Sequence, residues 1–188
     1  MPALEQARLL GGIGSILMLL AFVPYAGPVL SIIGFILVLI AVKYISDHVG
    51  DRTIFNNYLI AMIIGIISVI VAAVMGVAGF LGSMGLLLTG GPIATFAGMI
   101  MTLIAVLVVV WILGIIAAIF IRRSFNSIAT ALNVKMFATA ALLYLIGAIL
   151  TIIIVGAIIA LVAIILQIIA FFQIPAETAP PPPPPPPA

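Results

Sequence analysis

The feature that most constrains this sequence is that every charged side chain can be placed on one side of a membrane. If the apolar runs alternate across a bilayer, all basic and acidic residues and the one histidine share a face, whereas the opposite turns near 24–28, 82–91 and 155–156 carry no charge. Because cytoplasmic loops of membrane proteins are enriched in lysine and arginine, this pattern predicts a multi-pass membrane protein and orients it. The shared face holds Glu5, Arg8, Lys43, Asp47, His48, Asp51, Arg52, Arg122, Arg123, Lys135 and Glu177.

The composition excludes the soluble classes. Apolar residues make up 66% of the chain, charged residues only 5%, and the mean hydropathy is +1.57. A soluble domain has about a quarter of its residues charged, so the outer surface of this chain must face lipid. The six basic residues form no stripe, which argues against nucleic acid as a partner. The absence of cysteine excludes disulfides and thiolate sites.

The apolar runs predict an all-α protein with six transmembrane helices. A crossing needs about 20 residues to cover about 30 Å of hydrocarbon, and prolines, glycines and charges divide the chain into runs of that order. The alternative of a cleaved signal peptide is weaker, because Glu5 offsets Arg8 and Pro24 stands where cleavage would occur. The predicted spans are 2–23, 29–45, 54–80, 93–121, 136–154 and 157–174, with both termini cytoplasmic.

The segment 124–133, between the fourth and fifth spans, is predicted to be a short interfacial helix. Its apolar residues Phe125, Ile128, Ala129 and Leu132 follow the i, i+3, i+4, i+7 spacing of one helix face. A helix with such a face can lie in the headgroup plane with its apolar side in lipid.

A series of glycines between residues 76 and 85 has three interpretations. The glycines at 76, 79, 82 and 85 could form a close-packing helix face, a re-entrant element or a flexible external loop.

Two stretches suggest an internal repeat of two helical hairpins. Residues 27–46 align without gaps on 156–175, so spans 1–2 would correspond to spans 5–6 as a parallel repeat of the kind found in transporters. Chance similarity between Ile- and Leu-rich helices explains the match equally well. The identities are Leu37/Leu166, Ile40/Ile169, Ala41/Ala170 and Ile45/Ile174.

The chain ends in a proline-rich tail, 175–188, predicted to be disordered. Its unbroken run of prolines, 180–187, favours a polyproline II segment about 25 Å long. Such a segment can dock in an aromatic groove of a cytoplasmic partner. The interpretation as a stiff, solvated end is favoured, because no Lys or Arg flanks the run.

The predicted spans contain few groups able to do chemistry. No ionisable residue of the acidic, basic or histidine type lies near a bilayer centre, where proton relays and ion-coupled transporters need one. Asp47, His48 and Asp51 are interpreted as an ordinary polar loop rather than a metal site. No catalytic, cofactor-binding or metal-binding residue is therefore predicted. Gln167 is expected to face another helix, because its amide would be costly in lipid.

Six short motifs lie mainly at the ends of the predicted spans. They are GGIG at 11–14, PYAGP at 24–28, VKYISD at 42–47, IFNNY at 54–58, RRSFN at 122–126 and LYLIG at 143–147. Together they resemble a family of archaeal multi-pass membrane proteins catalogued only as a domain of unknown function. The resemblance covers nearly the whole chain except the tail and the glycine-rich middle. It implies an archaeal plasma-membrane protein and no particular activity.

Two function classes follow from these observations. The first is a non-catalytic structural or accessory protein of the lipid bilayer, packing as a homo-oligomer or in a larger membrane complex. The second is a channel or facilitator for a neutral or apolar solute. The second requires Gln167, Thr102 and Tyr144 to converge on one lumen, whereas the first places them in packed helix contacts. An enzyme is not expected, since the spans carry no acid–base pair.

Overall fold

A computed structural model describes residues 3–153 and 155–175 of the chain. The described residues form helices and turns, with no strand among them. This confirms the predicted all-α class. The elements are α1 (Ala3–Leu19), a 3₁₀ turn (Leu20–Phe22), α2 (Gly27–Val49), α3 (Arg52–Thr89), α4 (Gly91–Leu132), α5 (Lys135–Leu150) and α6 (Val155–Phe172).

Residues suited to turns set the helix boundaries. α2 ends at Gly50, which has φ of 77°, and α4 ends at Asn133, which has φ of 55°. Both are in the left-handed conformation that commonly closes a helix. Asp51 caps α3 by accepting a hydrogen bond from the Thr53 amide. Gly91, with φ of 77°, makes the short reversal between α3 and α4.

The helices are arranged as three antiparallel hairpins closed into a ring. α1 packs on α2, α3 on α4 and α5 on α6, while α2–α3 and α4–α5 contacts join the hairpins. Contact between α6 and α1 closes the ring. The first and last hairpins therefore meet, although they are far apart in sequence.

The best-packed part of the ring lies at the end that carries the charged residues. It joins the start of α1, α3 and α5 to the end of α2, α4 and α6. Aromatic side chains fill its centre, and the fully buried ones are Tyr58, Phe125, Phe137 and Phe171. The opposite ends of the hairpins contribute little to this core, since apolar side chains there are largely exposed.

The hairpins differ greatly in length. At 1.5 Å per residue, α3 (38 residues) is about 57 Å long and α4 (42 residues) about 63 Å, whereas α5 (16 residues) is about 24 Å. The α3–α4 hairpin therefore extends well past its neighbours. Among the described residues, four helices are by length and composition able to cross a membrane: Val29–Val49, Arg52–Thr89, Gly91–Leu132 and Val155–Phe172.

The prediction of a separate interfacial helix at 124–133 is wrong. Residues 124–132 are the last turns of α4, which is continuous from Gly91. Phe125 and Ile128 are fully buried and point into the aromatic core. The i, i+3, i+4 spacing was correct for an apolar helix face, but that face packs on protein rather than on lipid.

The predicted limits of the third and fourth spans were too short. The glycines at 76, 79, 82 and 85 interrupt neither the helix nor its hydrogen bonding, and α3 runs to Thr89 rather than to residue 80. A helix is the one open-ended structure that satisfies its own backbone where water is absent, so glycine is tolerated there. The interpretation of this segment as a flexible loop is wrong, because the segment is helical throughout, and the re-entrant interpretation stays a prediction. The hairpin repeat stays a prediction, and the tail 176–188 lies outside the described residues.

Candidate functional site

The most distinctive feature of the core is a buried chain of hydrogen bonds across three helices. Gln167 of α6 is 1% exposed. Its side-chain Nε2 donates to Ser15 Oγ of α1 at 2.7 Å, and its Oε1 accepts from the Tyr144 hydroxyl of α5 at 2.8 Å. Ser15 in turn donates to the Gly11 carbonyl at 2.7 Å. The chain thus joins the first hairpin to the last.

These hydrogen bonds satisfy side-chain atoms that would otherwise be costly to bury. Among the described residues, no buried side-chain nitrogen or oxygen lacks a partner. The prediction that Gln167 faces another helix is confirmed, since it faces two. Its partners were not predictable, because Ser15 lies 152 positions away in sequence. In the sequence, nothing distinguishes Ser15 or Tyr144 from the other serines, threonines and tyrosines of the predicted spans as a partner of Gln167.

An aromatic chain runs beside this polar network. Ring centroids lie 5.5 Å apart for Phe35–Tyr58, 5.9 Å for Tyr58–Phe125, 5.4 Å for Phe125–Phe137 and 5.0 Å for Phe137–Phe171. Phe125 also contacts Tyr144 at 6.4 Å, which links the aromatic chain to the polar network. The tilted and edge-on arrangements suit the charge distribution of the rings.

Glycines allow the helices around the network to come close. A Cβ at Gly11 would overlap the ring of Phe171, so α6 can approach α1 only because residue 11 has no side chain. A Cβ at Gly14 would lie 2.7 Å from the Gly34 carbonyl oxygen. Small residues with this role are typical of helix contacts inside membranes.

The polar loop between α2 and α3 is a helix cap. Asp51 Oδ1 accepts hydrogen bonds from the Thr53 hydroxyl at 2.6 Å and from the Thr53 amide at 2.9 Å. These two bonds hold the pKa of the Asp51 carboxyl below its ordinary value. Within the described part of the chain, no group of three His, Cys, Asp or Glu residues is placed to hold a metal ion.

The side chains that a lumen would need are separated. Gln167 and Tyr144 bond to each other in the packed core. Thr102 lies elsewhere on α4, where its hydroxyl donates to the Gly98 carbonyl at 3.0 Å and its methyl group lies against Gly79 of α3. The convergence expected of a channel is therefore not seen among these three residues.

The single tryptophan makes a contact that the sequence did not indicate. Trp111 Nε1 of α4 donates to the carbonyls of Ala148 and Ile149, at 3.1 Å each, near the end of α5. An apolar crevice of about 490 Å³ lies beside it, between α4 and the end of α5.

Comparison with known proteins identifies relatives of unknown role. The family described as "Protein of unknown function (DUF996)" matches residues 30–165. An uncharacterised protein of Methanocaldococcus jannaschii, MJ1644, is 33% identical over 174 residues, which cover 93% of this chain and 94% of that protein. No solved structure matches the chain. The resemblance to an uncharacterised archaeal family is confirmed.

Proposed function

The chain belongs to the DUF996 family of proteins of unknown function, and on that premise we propose that it is a non-catalytic, multi-pass protein of the archaeal plasma membrane. It acts as a structural or accessory subunit that packs with copies of itself or within a larger membrane complex. The observation that carries this proposal is the α3–α4 hairpin, whose far half, among the described residues, leaves most of its large apolar side chains exposed.

The surface pattern supports the membrane placement. Near the charged end, polar side chains point outward over the apolar core, as in a soluble bundle; exposed examples are Asp47, Asn56, Asn126 and Lys135. Beyond the level of Lys43 and Arg122 the pattern inverts, because the outward side chains are apolar and the buried Ser15 and Ser68 are polar. The inversion supports a membrane surface near that level, with the charged end and both termini cytoplasmic.

In this placement the three hairpins enter the bilayer from the cytoplasmic face. Of the six predicted crossings, four fit α1 to α4, whose hairpins rise well above Lys43 and Arg122. About 47 Å of α3 and α4 lies beyond Tyr58 and Arg122, enough for the bilayer with its headgroup regions at a modest tilt.

The free half of the α3–α4 hairpin offers sites for another helix. Apolar side chains on it are broadly exposed, including Val74, Leu81 and Met101. At Gly76 and Gly82 an added Cβ would meet nothing within 4 Å. Association in membranes depends on close backbone approach, and open glycines on a long, unaccompanied hairpin permit it. The hairpin is therefore the surface proposed to contact a partner or a second copy.

The absence of enzymatic activity is part of the proposal. It is supported by the lack of charged side chains in the membrane-spanning part and by the use of Asp51 as a helix cap. The facilitator alternative is not favoured, because Gln167, Tyr144 and Thr102 do not share a cavity. A cytoplasmic partner for the proline tail is a further, separate proposal.

A matched pair of variants tests the role of the hairpin. Gly76→Leu fills an open glycine position, whereas Val77→Leu enlarges an exposed side chain on another face of the same turn. Complexes extracted in mild detergent are compared on blue-native gels. We expect Gly76→Leu to shift the protein to the monomer position and Val77→Leu to leave the complex intact. A wild-type protein that migrates as a lone monomer, and does not cross-link in the membrane, would contradict the proposal.

A further inference from the structure

We infer that the α5–α6 hairpin is re-entrant, and that the crevice between its tip and Trp111 holds the hydrocarbon chain of a lipid from the outer leaflet. The inference rests on the membrane placement proposed above. It goes further by giving the third hairpin a depth and by assigning a ligand class to one cavity. Four observations carry it: the height of the tip, its apolar surface, the paired carbonyls at the end of α5, and the crevice itself.

The height of the tip follows from its hydrogen bonds to α4. Arg122 and Arg123 are exposed and mark the cytoplasmic surface. Trp111, which bonds to the end of α5, lies 11 residues before Arg122 and so at most about 17 Å above it. Since the hydrocarbon layer is about 30 Å thick, the tip stops well short of the outer surface.

The α6 helix gives an independent measure of the same height. Gln167 is tied to Tyr144, which contacts Phe125, so Gln167 lies within a few residues of the Arg122 level. From Gln167 to the start of α6 at Val155 there are 12 residues, or about 18 Å. Both measures place the turn just beyond the middle of the bilayer.

The surface of the tip suits hydrocarbon rather than water. Ile152, Ile153 and Val155 are exposed, and the only polar side chain of the turn, Thr151, donates to the Gly147 carbonyl at 2.6 Å. The tip of the first hairpin is different, because it carries Tyr25, which is 100% exposed and of a type enriched at membrane surfaces.

The end of α5 has a partner for each of the carbonyls that a helix normally leaves to water. A helix ends with four carbonyls that lack a helical donor. Here the Thr151 hydroxyl bonds to the Gly147 carbonyl, Trp111 bonds to those of Ala148 and Ile149, and the Ile153 amide bonds to that of Leu150 at 2.9 Å. An unsatisfied carbonyl is strongly unfavourable in hydrocarbon, so the pairing of these four carbonyls suits a helix end within the bilayer.

The end of α3 provides a contrast within the same molecule. There the Gly90 amide bonds to the Leu86 carbonyl at 2.7 Å. Among the described residues, no such bond reaches the carbonyls of 87–89. The α3–α4 tip, with Thr89, Gly90 and Gly91, is therefore suited to water or headgroups, unlike the α5–α6 tip.

The crevice above the re-entrant tip lies at the depth of lipid chains. It has a volume of about 490 Å³, within the range of small-molecule sites. Its walls are mostly apolar and include Ile104, Leu107 and Ile152, and at Gly114 an added Cβ would meet nothing within 4 Å. The lining extends along α4 from Gly114, about 12 Å above Arg122, to Ile104, about 27 Å above it, so the crevice spans the middle of the bilayer and reaches the outer leaflet. A lipid chain is the occupant whose chemistry and position match.

Cysteine labelling tests the depth of the tip, because the chain has no cysteine of its own. We expect an impermeant maleimide added outside intact cells to label Tyr25→Cys and to leave Ile152→Cys and Asp51→Cys unlabelled. Labelling of Ile152→Cys together with Tyr25→Cys would overturn the re-entrant hairpin alone. Labelling of Asp51→Cys in place of Tyr25→Cys would instead overturn the proposed orientation.

Fluorescence of the sole tryptophan tests the occupant of the crevice. In vesicles of phosphatidylcholine brominated at different chain carbons, we expect Trp111 to be quenched most by bromines in the lower half of the chain. Gly114→Leu, which fills the crevice, should weaken that quenching, whereas Gly82→Leu, at an open position outside it, should not. Strongest quenching by headgroup-level bromines would refute the depth. If brominated lipid quenches Trp111 only weakly, and the wild-type protein is a dimer that Gly114→Leu dissociates, the occupant of the crevice is instead a second copy.

Discussion

Replacing Gln167 by leucine tests whether the buried network joins the first and last hairpins. Leucine keeps much of the volume but removes the bonds to Ser15 and Tyr144. Interhelical hydrogen bonds in membranes average about 0.6 kcal/mol each, so two lost bonds cost about 1.2 kcal/mol. The hydroxyl of the partly buried Tyr144 is also left without its acceptor, which adds about 1 kcal/mol. Ser15 keeps its bond to Gly11.

The expected loss is therefore about 2 kcal/mol, and for a chain of this size it lowers the midpoint of thermal unfolding by about 4–8 °C. The matched control is Gln173→Leu, which makes the same chemical change at an exposed position next to the end of α6. Thermal unfolding in a mild detergent, followed by circular dichroism, measures both variants. We expect a clear decrease for Gln167→Leu and little change for Gln173→Leu.

A double-mutant cycle separates the orphaned hydroxyl from the lost bonds. Tyr144→Phe removes the hydroxyl that Gln167→Leu leaves unpaired. The double variant should therefore be more stable than the sum of the single effects, by about 1 kcal/mol. Equal unfolding temperatures for Gln167→Leu and Gln173→Leu, or single effects that simply add, would show that the buried network does not join the two hairpins.

Three further predictions concern other parts of the structure. Gly14→Ala should lower the free energy of unfolding by about 1–3 kcal/mol, because the added Cβ would press on the Gly34 carbonyl. Gly65→Ala, where the added Cβ meets nothing within 4 Å, is the control. Equal changes in unfolding free energy for the two variants would contradict this prediction. Trp111→Phe should speed hydrogen exchange of the backbone amides at the end of α5, because the indole N–H that ties two carbonyls of this end to α4 is lost. Unchanged amide exchange there would show that these two bonds are not formed. The cap at Asp51 has a lowered pKa, so the stability that it contributes is present above the ordinary value of 3.8 and is lost as the pH falls through the lower, folded value; Asp51→Asn should lack that component of the acid dependence, and identical acid profiles would rule it out.

The sequence predicted the all-α class because the signals for helices are local. Charges such as Arg122 and Lys135, and breakers such as Pro24 and Gly50, mark where apolar runs end. Which helices pack side by side depends on contacts between residues that are remote in sequence, and the sequence did not predict these contacts. The bond between Ser15 and Gln167 and the insertion of Phe171 beside Gly11 have no local signature.

The errors have a common physical cause. An apolar helix face carrying Phe125 and Ile128 can pack on lipid or on protein, and its spacing is the same in both cases. The glycines of α3 resemble turn residues, yet in an apolar helix the backbone has no better partner than itself. The contact of Trp111 with the end of α5 was not predicted. It forms because α5 is much shorter than α4 and ends beside the middle of α4, where Trp111 lies.

The central claim, that the protein works by packing with other membrane proteins or with itself, is tested most directly by native mass spectrometry. The protein is released from its own membrane in a mild detergent and weighed with everything that stays bound. We expect a constant mass above that of the 19.6 kDa chain, from further copies or a stoichiometric companion. A lone chain in every mild detergent tried, with no companion protein, would contradict it.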